Sequence, residues 1–306
     1  MIVAVMILLF LVFLLFLLGC KLAAFAMRIQ CQSLEDARAW QEAHYDLSWY
    51  DPLEKNDYVV DCKDGYRLHV EFLKNPVSTT RYILLSHGYT DNRFGSLKYA
   101  KMYLDLGFHV IAYDLRGHGA NDPTFCTYSA RESQDLSDLI RDSRRRYPEA
   151  TFFGIHGESL GAASSIAVLR FHPQIDFVVA DCPFSEITSV IQAGMKSMHI
   201  PPVLAHLVSL CARIRYGYSF HAMRPIDSLP GNTVPILFVH GAVDTFIPPH
   251  HSQDMAKVTS GYSEVHLIPQ APHAASILTA PQAYKTYVQD FLQTVEDREK
   301  RSQPCI

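Results

Sequence analysis

The 306-residue chain has no paired cysteine motif, no strong excess of charge of either sign, no internal repeat and no low-complexity linker. Its seven cysteines (20, 31, 62, 126, 182, 211 and 305) are scattered, with no Cys-x-x-Cys and no Cys/His spacing that suits zinc. That pattern argues for reduced structural thiols over a disulfide framework. His250-His251 follows Pro248-Pro249, but a helix start supplies no convergent third ligand, so neither a metal nor another cofactor is expected. A formal net charge of -4, with no basic stripe interleaved with aromatics, gives no reason to expect nucleic acid. The richest basic patch, Arg141 with Arg144, Arg145 and Arg146, falls at the end of an expected helix, where cations complement the dipole. A hydrophobic content of 48% with 19% charged residues excludes disorder and fits a well-buried core.

What the chain has in excess is an apolar leader. Met1 to Leu18 is uninterrupted, and Gly19, Cys20 and Lys21 alone separate it from Leu22 to Met27. Eighteen residues of helix span about 27 Å, close to the hydrocarbon thickness of a bilayer. An uncleaved single-pass anchor is the first reading, because the run exceeds a usual signal h-region and no Lys or Arg precedes it. Two others stay open: cleavage after Ala24-Phe25-Ala26, and lipid attachment at Leu17-Leu18-Gly19-Cys20. The weak charge bias of Lys21 and Arg28 favours a cytoplasmic domain by the positive-inside rule and leaves the orientation unsettled. Ser33 then reads as an N-cap with Asp36 at N3, opening a helical pattern that stops at Asp51-Pro52. Trp40, Tyr45, Trp49 and Tyr50 suit either the headgroup zone or packing against the following domain. Three regions result: an anchor or signal segment over 1–27, a juxtamembrane helix and linker over 28–57, and a catalytic domain over 58–306.

In the domain, Tyr58–Cys62 and Arg67–Leu73 flank Asp64-Gly65 as a hairpin. Apolar runs at 82–86, 108–113, 151–156, 177–181, 235–240 and 264–268 then alternate with helical stretches. That alternation predicts an α/β fold with about eight strands, mostly parallel, covered by helices on both faces. Ser129-Ala130-Arg131-Glu132 reads as a capping box. Residues 185–232 are too long for a plain crossover. They carry enough apolar side chains for two helices, broken at Pro201-Pro202, that cap the carboxyl edge of the sheet.

The chemistry lies in three separated segments. Ser159 stands in Gly157-Glu158-Ser159-Leu160-Gly161 between an apolar strand and a helix, which is the nucleophile-elbow pattern. Asp244 and His273 follow, each just past a strand-like run. A serine hydroxyl needs a base in reach, and the base needs an orienting acid. His273 is preferred as base over His266, which lies within a strand, and Asp244 over Asp254, which lies within a helix. The expected oxyanion donors are the backbone N–H groups of Leu160 and of Tyr89, in the loop His87-Gly88-Tyr89. His118, in Asp114-Leu115-Arg116-Gly117-His118-Gly119, is read as part of a loop stapled by Asp114 and Arg116.

With these motifs in order, the chain resembles the α/β-hydrolase superfamily over about Tyr58 to Leu292. Within it, the sequence is similar to bacterial membrane-anchored hydrolases related to the serine aminopeptidase and prolyl-oligopeptidase-like group. Asp181-Cys182-Pro183-Phe184-Ser185 contributes to that likeness. The resemblance implies a serine hydrolase but not its substrate, because members include esterases, thioesterases, lipases and peptidases. Hydrolysis of carboxylic esters or thioesters is the leading expectation. A peptidase is the nearest alternative, with Glu186 the sole cap acid to grip a free amine. A non-catalytic membrane-anchored binding protein is the alternative of another class.

Overall fold

A computed structural model describes residues 1–302; Cys305 lies outside the described residues. The chain opens with helix α1 (Ile2–Met27) and, after a short extended segment, helix α2 (Leu34–His44). Ser33 caps α2 as its sequence predicts, its Oγ accepting the Asp36 N–H at 3.0 Å. This helix ends at His44, earlier than the stop at Asp51-Pro52 that the sequence suggests, because Tyr45 turns to extended backbone.

Next come β1 (Lys55–Asp61), β2 (Arg67–Leu73), β3 (Arg81–Ser86), helix α3 (Leu97–Asp105), β4 (His109–Tyr113), helix α4 (Glu132–Arg146) and β5 (Phe152–Glu158). They are followed by helix α5 (Leu160–Ala167), β6 (Phe177–Asp181), helices α6 (Ile187–Ser197) and α7 (Ala205–Tyr216), and β7 (Ile236–Gly241). The chain ends with helix α8 (His250–Val258), β8 (Ser263–Ile268), a single turn α9 (Ser276–Thr279) and helix α10 (Pro281–Ser302). All eight strands form one sheet in the order β1-β2-β4-β3-β5-β6-β7-β8. β1 and β2 are antiparallel, as is β2 on β4, and the remaining pairs are parallel.

Every residue of β4, β5, β6 and β7 is buried, as two covered faces require. One face packs against α4, α5 and α8 through Leu136, Ile166 and Met255; the other packs against α3 and α10 through Tyr103, Tyr284 and Phe291. The strand order reverses direction between β3 and β5. A crevice therefore opens outside their carboxyl ends, where sheets of this kind bind ligands.

The capping box before α4 is half formed. Glu132 reaches back to the N–H groups of Thr127 and Ser129, but Ser129 has φ 86° and gives no side-chain cap, so the helix starts at Glu132. Residues 185–232 form the expected two-helix cap, with α6 and α7 joined through Pro201-Pro202.

α1 is not a detached tail. From Ile2 to Leu15 each large apolar side chain is at least 44% exposed, yet Gly19, Ala23 and Met27 are buried. At Gly19 an added Cβ would lie 2.8 Å from Leu207 Cγ and 2.9 Å from Cys211 Sγ, so α1 and α7 touch there at a glycine. Farther on, the Cys126 N–H donates to the Met27 carbonyl at 2.9 Å, and Arg28 bridges to Phe125. The Phe125 ring lies 4.8 Å from that of Tyr216, at the end of α7. Contacts thus advance along both helices in the same direction.

Candidate active site

β5 ends at Glu158 and α5 begins at Leu160, leaving one residue to make the turn. That residue, Ser159, has φ 51° and ψ -112°, a conformation a side chain holds only when its surroundings impose it. Close backbone packing imposes it. A Cβ on Gly157 would lie 2.4 Å from the Gly161 carbonyl oxygen, and one on Gly161 would lie 2.1 Å from that of Ser86. Strand, helix and the neighbouring β3 approach to distances that glycine alone permits. The Ser159 N–H is anchored on the Asp181 carbonyl at 2.8 Å.

Ser159 Oγ lies 3.0 Å from Nε2 of His273, and Nδ1 of His273 lies 2.7 Å from Oδ2 of Asp244. Asp244 follows β7 and His273 follows β8, so two adjacent parallel strands deliver them beside the elbow. The other carboxylate oxygen of Asp244 accepts the N–H groups of Phe246 and Ile247, each at 2.9 Å. Burial pulls the Asp244 pKa up, but hydrogen bonds from His240 and His273 outweigh it and hold the carboxyl well below the usual range. A carboxylate at Nδ1 requires the imidazole proton there, which leaves Nε2 as an acceptor facing the hydroxyl.

The rival candidates stand elsewhere. His266 Nε2 pairs with Glu264 at 2.8 Å and its ring stacks on Tyr287; Asp254 pairs with Lys257. Glu186 is spent as the N-cap of α6, accepting the N–H groups of Thr188 and Ser189 at 3.1 Å. His251 ties the start of the cap to α8 through Ser185, its Nδ1 lying 2.7 Å from the Ser185 hydroxyl. Cys182, Asp244 and His273 present metal-ligating atoms within 4.8 Å of one another. However, burial and Asp181 push the Cys182 thiol pKa far up, and the Asp244 oxygen there is already taken by Nδ1–H, so this set is a hydrogen-bonded pair beside a protonated thiol. All six described cysteines are free thiols.

The loop after β3 is fixed from below and above. His87 accepts the Leu115 N–H at 2.8 Å and donates to the Gly88 carbonyl, while burial pushes its pKa down to about 3. His118 Nε2 lies 2.7 Å from the Tyr89 carbonyl oxygen, and the Tyr89 hydroxyl donates to the Arg28 carbonyl beyond α1. Among the described residues, no acceptor engages the N–H of Tyr89 or of Leu160. Asp114 accepts the N–H groups of Arg93 and Ala120, and Arg116 pairs with Asp135 and Asp64, so 114–119 is the stapled loop its sequence suggests.

Two features escaped the sequence. Beneath the elbow, buried Lys98 forms an ion pair with Glu158, and the Tyr99 hydroxyl reaches both Glu158 and Asp181. The one signal was a lysine in the core-facing register of α3. The second is the pocket, a cavity of about 400 Å³ that contains Ser159 and His273. Its walls come from α6 (Ile187, Ile191 and Met195) and, unexpectedly, from Leu22, Phe25 and Ala26 of α1.

A family model described as serine aminopeptidase, S33, matches residues 78–229, the segment that carries both the loop after β3 and the elbow. The chain belongs to the α/β-hydrolase superfamily. This hydrolase is 27% identical over 267 residues to the protein YqkD of Bacillus subtilis, covering 85% of this chain and 86% of that one. It is 24% identical over 245 residues to a protein of Saccharomyces cerevisiae described as a membrane protein, covering 79% of this chain and 80% of that one. An esterase from Pyrococcus furiosus shares the fold of the hydrolase with a TM-score of 0.68 at 22% identity, over 87% of this chain and 98% of that one.

Proposed function

We propose that the hydrolase is a membrane-anchored serine enzyme that cleaves carboxylic ester or thioester bonds through an acyl-enzyme. The observation that carries this reading is the relay of 3.0 Å from Ser159 Oγ to His273 and 2.7 Å from His273 to Asp244, on a strained elbow. In the proposed reaction Ser159 Oγ bonds to the carbonyl carbon while its proton passes to His273 Nε2. The N–H groups of Leu160 and Tyr89 receive the oxyanion. The carbon–oxygen or carbon–sulfur bond then breaks, and the leaving alcohol or thiol takes the proton from His273. Water next gives a proton to His273 and its hydroxyl to the acyl carbon. The acid departs and the proton returns to Oγ. Asp244 orients the imidazole and stabilises its charged form.

The ester reading is favoured over the peptidase by the pocket. Its walls are apolar, Glu186 is committed to capping, and the two pocket carboxylates are already engaged: Asp91 by Gln32 and Asn92, Glu158 by Lys98 and Tyr99. Asp91 is held through Oδ1 by neutral donors and has no cationic partner among the described residues, so the preference rests on the apolar walls and on the commitment of Glu186 and Glu158.

The catalytic unit we assign to 58–306, with 185–232 as cap and 28–57 as connection. α1 is long and apolar enough to cross a bilayer. The burial of Ala23 and Met27 supports an uncleaved anchor, because processing after Ala26 would remove a wall of the pocket. Lys21 and Arg28 support a cytoplasmic active site.

A fluorophosphonate probe should label the wild type and not Ser159→Ala, and that variant should lose at least about 10⁴-fold in p-nitrophenyl ester turnover. Turnover confined to aminoacyl anilides would replace the ester reading with the peptidase.

A further inference from the structure

The apolar run of α1 and its contact with α7 overlap. Residues 2 to 15 are exposed, as are Leu17 and Leu18 at 42% and 43%, with Phe16 half-buried between them. The apolar run continues to Cys20, and Lys21 is the first charged side chain along α1, so the hydrocarbon takes the helix up to about that residue. The run thus includes Phe16, Gly19 and Cys20. Gly19 lies against Leu207 and Cys211, and the Cys211 thiol lies 3.7 Å from the Phe16 carbonyl. Because α1 and α7 run in the same direction, whatever precedes Leu207 sits deeper still.

The surface of the cap agrees. Met198, Val203, Leu210 and Ile214 are all more than half exposed, at 55%, 69%, 51% and 63%. On this geometry Met198 and Val203, which precede Leu207, fall at acyl depth, and Leu210 and Ile214, which follow it, fall at the level of the headgroups; a cap facing water has no use for apolar side chains so exposed beside an anchor. Lys21 then stands at headgroup depth, and Leu22, Phe25 and Ala26 follow immediately. Phe25 and Met198 are each 55% exposed and each line the pocket, so the cavity reaches the surface between the end of α1 and the end of α6.

We propose that the tip of the cap is embedded in the membrane beside α1, and that the pocket opens sideways into the bilayer to take a single-chain acyl ester with a small polar head. The acyl chain slides between Phe25 and Met198, along Leu22 and Met195, and brings its ester to Ser159 from the headgroup plane. This rests on the anchored-hydrolase reading and names the substrate class for that same site. It makes α1 a specificity-determining part of the enzyme as well as its tether.

The test uses the full chain reconstituted in phosphatidylcholine vesicles, with monooleoylglycerol as the membrane substrate and p-nitrophenyl acetate as the soluble one. Vesicle flotation and fluorophosphonate labelling are read on the same preparation. Failure of either overturns the underlying reading and this one with it. With both intact, the rate on monooleoylglycerol should saturate with its mole fraction in the bilayer at constant bulk concentration. A rate that follows bulk concentration overturns sideways entry. Leu22→Trp, which narrows the pocket from the α1 side, should lower the ratio of monooleoylglycerol to p-nitrophenyl acetate kcat/KM at least tenfold. Leu9→Trp, on the exposed part of α1, should leave that ratio within twofold. Equal ratios in the two variants overturn the role of α1 as a wall.

Discussion

Lys98 is the residue whose placement the chemistry of the elbow most constrains. It is buried beside two buried acids, Glu158 and Asp181, the first adjoining Ser159 in the chain and the second supplying the carbonyl that holds the Ser159 N–H. Burial and the nearby Glu158 push the Asp181 pKa up to about 6, while Lys98 and the Tyr99 hydroxyl pull the other way. Burial disfavours the ammonium of Lys98, but Glu158 overrides it and keeps the lysine charged. Removing one member of such a group strands charge in the interior. Lys98→Met is therefore expected to destabilise the protein by about 3–5 kcal/mol, as breaking a buried pair does elsewhere. Urea unfolding monitored by circular dichroism checks it. A loss below about 1 kcal/mol would mean that water reaches the cluster, as at surface ion pairs. The motif around Ser159 was readable residue by residue; its support was not, because the lysine comes from a helix 60 residues earlier.

At the scale of elements, the decisive packing is α1 on α7. Gly19 is the contact that lets the two helices meet: a Cβ there would lie 2.9 Å from Cys211 Sγ, and Cys20 adjoins Gly19 in the chain. Mild oxidation of the full chain should therefore yield a Cys20–Cys211 disulfide, identified by mass spectrometry of the linked peptides. Gly19→Leu should reduce the yield severalfold, since its side chain would occupy the space of Leu207. Cross-linking that is equally efficient in this variant would place the seam elsewhere. The strands and the two cap helices were legible because burial on both faces writes itself as short apolar runs between helical ones. Ser129 shows where local pattern fails. A capping-box sequence was present, but the left-handed backbone at Tyr128 and Ser129 moved the helix start by two residues.

For the molecule as a whole, acid stability depends on histidines kept neutral inside. Burial pushes the pKa of His87 and His156 down to about 3 and that of His251 down to about 4. In the unfolded chain they titrate near 6.5. Their contribution is complete above that value and is lost as pH falls towards 4, because the unfolded state then binds more protons. Asp181 and Asp135, both raised to about 6 mainly by burial, act in the opposite sense, gaining stability as pH falls through 6. Three larger shifts oppose two smaller ones, so the Tm should fall between pH 7 and 4.5 in scanning fluorimetry. A Tm that rises on acidification would show the carboxylates to dominate.

The sequence by itself determined the alternation of strands and helices, the elbow with its serine, and the order in which aspartate and histidine follow. Each of these is written in local periodicity or in residue types a few positions apart. Tertiary structure alone decided that Ser159, His273 and Asp244 meet within hydrogen-bond distance, that Lys98 lies beneath them, and that the end of α1 forms a wall of their pocket. Those contacts join segments that are distant in sequence. They are fixed by sheet order and by the close approach of helices at glycine, neither of which leaves a periodic trace in the chain.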